Sequence, residues 1–294
     1  MKSLVIAEHT EAARELAAGA RTMSDEVVLV SFGEAPEAVA DKIASIAVPE
    51  SFVLDDAAAT VLSVFDAEQP AVVLVEPTRH MKSIAGRLAA HADTSTITDV
   101  MEFAAEGARS LYFGGLAERV QKSIASVAIY TVSAGVFADA VASGANAVEE
   151  VAWVAPAHAV KLVSVKPIEK SGVDLNKADV VVAAGRGFAE KADLDLACAL
   201  CDKLGAGLGC SRPLTEGVDW LPTETYIGVS GLMLSPKVYV AVGISGQMQH
   251  MVGCNRADAL FAINKDRNAA VFKQCDFGLV GDIKDVLPAL LAAL

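Results

Sequence analysis

Several common functions require features that this chain lacks. Although 53% of its 294 residues are hydrophobic, no uninterrupted apolar run reaches the ~18 residues a membrane span requires. The opening stretch, Met1-Lys2-Ser3-Leu4-Val5-Ile6-Ala7-Glu8, is too short before its charge for a secretory signal and fits a first strand, so a cytoplasmic protein is the default expectation. Positive charge is scarce: 24 lysines and arginines face 37 acidic residues, a net charge of −13. That balance argues against a nucleic-acid partner, which needs a concentrated positive field. Five cysteines, an odd number, do not make a disulfide framework. Cys198 and Cys201 have C-x-x-C spacing, but they fall inside an amphipathic helix whose apolar stripe is Leu194, Ala197, Cys201 and Leu204. Packing explains them better than redox or metal chemistry. No second C-x-x-C or paired histidine completes a zinc site. There is no Ser-His-Asp arrangement, P-loop lysine or EF-hand loop, and no repeat of fixed period. His9, His80, His91 and His158 are scattered and suggest no role.

What is present is alternation. Leu4–Glu8, Val27–Val30 and Ala71–Val75 read as short buried strands. Between and after them, Thr10–Met23, Ala35–Ile46, Ala57–Phe65 and His80–Ala92 read as helices. Such a rhythm predicts an α/β layer with a largely parallel sheet. From about Ser95 it changes: Asp99–Ala104, Ser110–Phe113 and Ser126–Ser133 are strand-like with no helices between them, which predicts antiparallel or mixed strands. Gly107, Gly114-Gly115 and Gly135 punctuate them as turns. Val151–Val165 is a further extended segment, limited in pairing by Pro156. Pro167–Lys177, charged and aperiodic, is the candidate linker.

The second half restarts the alternation. Asp179–Ala184, Gly207–Cys210, Tyr226–Val229, Val238–Val242, Ala259–Ile263 and Phe277–Val280 predict a sheet of about six strands, with helices over Ala189–Leu204 and after Asp282, a suitable N-cap. The organising stretch is Val238 to His250. A β-branched strand runs into Gly243-Ile244-Ser245-Gly246 and then into a helix start carrying Gln249 and His250. A helix N-terminus there would suit an anion or a carbonyl oxygen. A strand–turn–helix corner without a ligand has the same pattern. In a doubly wound sheet, ligands bind outside the carboxyl ends of the strands, and every glycine-flanked polar block of this half falls there. Gly185-Arg186-Gly187 begins like a dinucleotide fingerprint but lacks the third glycine.

Taken together, Gly243-Ile244-Ser245-Gly246…Gln249-His250, Ala262-Ile263-Asn264-Lys265-Asp266 and Asp276-Phe277-Gly278-Leu279-Val280-Gly281-Asp282 resemble the flavin domain of the electron transfer flavoprotein alpha subunit, the FAD-binding large subunit. Ala184-Gly185-Arg186-Gly187 and Gly209-Cys210-Ser211-Arg212 look like two more of its blocks. The specific resemblance runs from about Val180 to the C-terminus. The N-terminal half is similar in layout and in a few phrases such as Thr94–Val100.

The resemblance implies an α/β protein of two domains: an N-terminal, partner-facing domain with a mixed sheet over residues 1–168, and a C-terminal doubly wound, parallel-sheet FAD-binding domain over 174–294. It implies a heterodimer with a beta subunit, and electron transfer to or from a flavin dehydrogenase of the acyl-CoA type, so a carrier rather than an enzyme with its own substrate. FAD would be contacted by Arg186, Ser211, Arg212, Gly228, Val229, Ser230, Ser245, Gly246, Gln247, Gln249, His250, Asn264, Asp282 and Ile283. Arg212 would lie over the ring, and a guanidinium there stabilises negative charge on it. Ser230 would place a hydroxyl at the flavin N5, and His250 would face the pyrimidine carbonyl as a cation or a donor. Asn264 and Asp282 would hold the adenosine half, and Arg186 and Ser211 the pyrophosphate. Two departures are visible: Val229 stands where the family usually has glutamine, and Leu232 where lysine is common. They leave open a stand-alone flavin or nicotinamide oxidoreductase and an adenine-nucleotide-binding regulatory module, since one α/β fold hosts many functions.

Overall fold

A computed structural model describes residues 1–113, 117–165 and 173–294. The turn at Gly114-Gly115 and the first part of the candidate linker, Pro167 to Gly172, lie outside them. The chain divides into two compact units, one holding residues 1–112 and 117–165 and the other 173–294.

The first unit is built on a nine-stranded mixed sheet in the order β7-β6-β5-β8-β4-β1-β2-β3-β9. Its strands are β1 (Lys2–Ala7), β2 (Glu26–Ser31), β3 (Lys42–Ser45), β4 (Val72–Val75), β5 (Thr96–Ala104), β6 (Gly107–Tyr112), β7 (Ala117–Gln121), β8 (Ala128–Val132) and β9 (Ala147–Glu150). All pairings are parallel except β5 with β6 and β6 with β7, where the chain turns back as hairpins. Helix α1 (Thr10–Met23) packs against one face through Leu16, Ala17 and Ala20. Helices α2 (Ala58–Glu68) and α3 (Arg79–His91) cover the other face through Val61, Met81 and Leu88. Thr78 caps α3 by accepting the Met81 N–H at 3.1 Å, the usual job of a hydroxyl at that position.

Here one sequence expectation needs correction. Ala35–Ile46 is not a helix: Lys42–Ser45 pairs in parallel with β2 and with β9, and Ile43 and Ala44 are buried. Pairing on both sides outweighs the modest helix preference of alanine. Val151–Val165 forms no ladder; Phe52 bridges Lys161 alone.

The second unit is a five-stranded, wholly parallel sheet in the order β11-β10-β12-β13-β14. Its strands are β10 (Val180–Ala184), β11 (Gly207–Cys210), β12 (Val238–Val242), β13 (Ala259–Asn264) and β14 (Phe277–Val280). The order reverses direction between β10 and β12, which makes that gap the topological switch point. Side chains alternate across the central strands as a sheet buried on both faces requires. Val182, Ala184, Val240 and Val242 meet α4 (Leu194–Leu204) and α6 (Ile283–Ala293). Val181, Ala183, Tyr239 and Ala241 meet Ile227, Leu234, Met251, Cys254 and Val271. That second cover is mostly irregular chain.

The expected sixth strand, Tyr226–Val229, is not one: Tyr226 makes a single bridge to Cys210, and the chain folds back so that Leu232 donates to the Tyr226 carbonyl at 2.8 Å. The C-x-x-C pair sits in α4 with Cys201 buried and Cys198 exposed. Burial pushes the Cys201 thiol up to about 12, the opposite of a redox-active cysteine. From the linker region, Leu175 is buried in the second unit's core.

At the switch point the turns after β10 and β12 touch mainly through main chain, with the Ile244 side chain against Gly185. Gly187 donates to the Gly243 carbonyl at 2.9 Å, and Gly185 to that of Val242 at 2.9 Å. Gly243 has φ +64°, and a Cβ there would lie 2.8 Å from the Gly187 Cα. Gly243→Ala should therefore cost about 2–4 kcal/mol of unfolding free energy from left-handed strain plus overpacking. Urea unfolding measures this, and a loss below ~0.5 kcal/mol would mean that the turns do not depend on the contact.

Candidate functional site

A cavity of about 710 Å³ opens over the carboxyl ends of β10, β11 and β12. Each sequence block reaches it by a strand end. Arg186 follows β10. Ser211 and Arg212 follow β11, with the Ser211 N–H fixed to the Ala184 carbonyl at 2.9 Å. Ser245, Gln247, Gln249 and His250 follow β12, and Asn264 closes β13. Val229 and Ser230 enter from the loop after Tyr226. That loop is held by the Val229 N–H donating to the Gln249 carbonyl at 2.9 Å and the Gly228 N–H to that of Leu232 at 3.0 Å. Gly246, at φ +82°, brings the Ser245 carbonyl within 3.1 Å of the Val271 N–H, and its own carbonyl accepts from Gln274 Nε2 at 2.9 Å.

Of the sequence-predicted residues, ten line this one cavity. Gly228 and Gly246 shape its loops. Asp282 and Ile283 lie at the end of the neighbouring strand β14. Asp282 caps α6 by accepting the Lys284 N–H at 2.9 Å, and Ile283 buries its side chain under α6, so only its main chain is left to face a ligand. Gly281 donates to the Asn264 carbonyl at 3.1 Å and ties this corner to the cavity wall. The amide of Asn264 is occupied: its Nδ2 donates to the Ile244 carbonyl at 2.8 Å, and its Oδ1 accepts from Asp266 N–H at 2.9 Å. It clamps the loop after β12.

Glu216 also lines the cavity and was missed by the sequence reading; its Oε2 accepts from Arg212 Nε at 2.6 Å. Four-residue spacing on a helical turn was the available signal. Tyr226, Pro213, Gly243 and Ile244 complete the lining. In a chain of net charge −13, two arginines against one carboxylate give the cavity a locally positive character suited to a phosphate-bearing ligand.

The helix expected to follow Gly246 is a single turn, α5 (Met248–Met251). Its dipole is correspondingly small, so anion binding there would rest on side chains and turn N–H groups. His250 is 7% exposed. Burial lowers its proton affinity from the ordinary 6.5 to about 4, opposed in part by the nearby Ile227 carbonyl. Burial thus favours the neutral imidazole near pH 7, and with it the donor role over the cationic one. Its Nε2 lies 2.8 Å from the Tyr239 hydroxyl. Among the described residues its Nδ1 is buried and makes no hydrogen bond of good geometry; the Ile227 carbonyl lies near the ring, and a bound acceptor would have to take its place.

The family model "Electron transfer flavoprotein domain" matches residues 3–158, and "Electron transfer flavoprotein FAD-binding domain" matches residues 174–255. Protein FixB of Salmonella typhimurium is 39% identical over 294 residues, covering 95% of this chain and 94% of its own. Protein FixB of Salmonella typhi gives the same figures. That of Escherichia coli O139:H28 is 41% identical over 229 residues, 76% of this chain and 73% of its own.

The depressed His250 pKa sets a pH dependence. The unfolded chain takes up a proton near 6.5 that the folded chain takes up only near 4, so stability is full above pH 6.5 and falls as the pH drops towards 4. At about 1.4 kcal/mol per unit the loss is at most about 3.5 kcal/mol. The difference in unfolding free energy between wild type and His250→Gln should shrink across that window. A difference that stays flat would mean that His250 is not held neutral.

Proposed function

The chain belongs to the electron transfer flavoprotein alpha family, and on that premise we propose that the cavity over β10, β11 and β12 is where it holds FAD, with a beta subunit as its partner in a heterodimer. The observation that carries this is one cavity into which ten of the residues implied by the family resemblance converge. The donor set suits the group. Glycine turns let main chain approach closely, Arg186 and Ser211 suit a pyrophosphate, and the buried Nδ1 of His250, which makes no hydrogen bond of good geometry, suits an acceptor atom on a ring.

When bound, FAD supplies a ring that takes up and gives up electrons. This chain's residues bind and tune it. Arg212, always charged, favours electron density on the ring, and its ion pair with Glu216 fixes where that charge sits. Ser230 offers a hydroxyl beside Val229, whose side chain supplies no amide donor. Asn264 and Asp282, at adjoining strand ends, are assigned to the adenosine half. Residues 174–294 form the FAD-binding domain in this reading and residues 1–168 the partner-facing one. Electrons pass between this cofactor and a flavin dehydrogenase, of which the acyl-CoA type is the family expectation, in the cytoplasm. No helix among the described residues is long and apolar enough to cross a membrane.

The deciding experiment is the visible spectrum of the chain purified with its beta subunit, with mass identification of the ligand that denaturation releases. The expected result is at least one FAD per heterodimer. A colourless complex that releases AMP alone and does not take up added FAD would favour a regulatory nucleotide module instead. Within the flavin reading, Arg212→Ala should lower the reduction potential by the order of 60 mV per electron, the equivalent of about 1.4 kcal/mol; an unchanged potential would place Arg212 away from the ring. Asp282→Ala should loosen FAD about tenfold with little change in potential, and the reverse pattern would put Asp282 near the ring.

A further inference from the structure

Beneath the cavity floor, β12 carries a polar group that the family resemblance did not single out. Among the described residues Tyr239 is the largest fully buried side chain, at 0% exposure, and its hydroxyl lies against His250 Nε2 at 2.8 Å. A buried phenol must place one proton and accept at least one bond. Besides His250, the Cys254 thiol lies beside this hydroxyl, and the two are unequal partners. Cys254 is a thiol whose own S–H reaches towards the His250 carbonyl at 4.0 Å, and thiol sulfur is a weak acceptor. The bare nitrogen of a neutral imidazole is a strong one. The phenol proton therefore belongs on the line to Nε2, and a neutral imidazole that accepts at Nε2 carries its hydrogen at Nδ1. The opposite assignment would send the phenol proton to sulfur and leave Nδ1 as a buried acceptor.

We propose that Tyr239 is a positioning residue: its hydroxyl donates to His250 Nε2, fixing the neutral imidazole as the Nδ1–H tautomer, a ready-made donor for an acceptor atom on the bound ring. The ligand half of this rests on the FAD reading above; the tautomer half is a property of the chain by itself. The consequence is selectivity. A fixed donor at this position welcomes a ring edge bearing a carbonyl or an unprotonated nitrogen, and it opposes one that presents N–H there, because two donors would then face each other in a buried place.

The proton positions can be read directly. The full chain, labelled with ¹⁵N in histidine, is observed by NMR without ligand at pH 7, with the His250 signals identified by their loss in His250→Gln. Wild type should show the Nδ1–H form in about tenfold excess, the weight of one ordinary hydrogen bond. Tyr239→Phe, which keeps the ring and removes the hydroxyl, should cut that excess severalfold, the Ile227 carbonyl beside the ring retaining part of the preference. Hydrogen on Nε2 in wild type would overturn the proposal, as would an unchanged ratio in Tyr239→Phe. If that variant does not fold, the wild-type spectrum decides alone. FAD is then added to the labelled chain paired with its beta subunit, and its binding is followed by absorbance. A shift of the Nδ1 signal supports the donor role, and bound FAD with no shift overturns it. Failure of FAD to bind while the ligand-free tautomer holds would instead sink the functional reading and the ligand assigned to Nδ1, leaving Tyr239's hold on the imidazole intact.

Discussion

The second unit depends on a main-chain contact at the point where its strand order reverses. Two glycine turns, after β10 and after β12, meet through the Gly187 N–H and the Gly243 carbonyl at 2.9 Å. At this distance there is no room for side chains. The contact fixes how the two strand ends sit side by side, and every wall of the cavity is hung from one of those ends or from a loop bonded to them. Ser211 is tied to the Ala184 carbonyl, the Val229 loop to the Gln249 carbonyl, and Asn264 to the Ile244 carbonyl. In an α/β sheet of this order a crevice at the switch point is a geometric necessity. What the sequence adds is the chemistry of its lining: two arginines, hydroxyls, and one buried imidazole.

Much of this was legible beforehand for a simple reason. A strand buried on both faces has to be a continuous apolar run, and Val238–Val242 and Val180–Ala184 are such runs. The turns beside them need glycine, and the polar residues that follow must face the same end of the sheet. Local pattern and site therefore coincide. Asp282 was readable as a cap because capping is also local.

The misreadings come from non-local terms. Ala35–Ile46 looks helical by composition, yet strands on both sides recruit Lys42–Ser45 into the sheet. Strand β7, Ala-Glu-Arg-Val-Gln, is polar enough to escape notice and exists because a hairpin partner holds it. Tyr226–Val229 looks like a strand, but Gly228 at φ +142° turns it back on itself. The Tyr239–His250 pair could not have been found by spacing. It joins a strand and a later turn across the fold, and the tyrosine reads in sequence as one more core residue.

A cavity built on main-chain hydrogen bonds has a consequence for descent. Where a pocket's shape is set by side chains, changing them to suit a new task dismantles the pocket. Here Val229 and Leu232 can differ from the residues usual in the family, because the loop that carries them is held by the N–H of Val229 and the carbonyl of Leu232, groups that every amino acid but proline supplies. The Val229 side chain can therefore change without removing a hydrogen bond that holds the loop, whereas Leu232 also packs against the core beneath it.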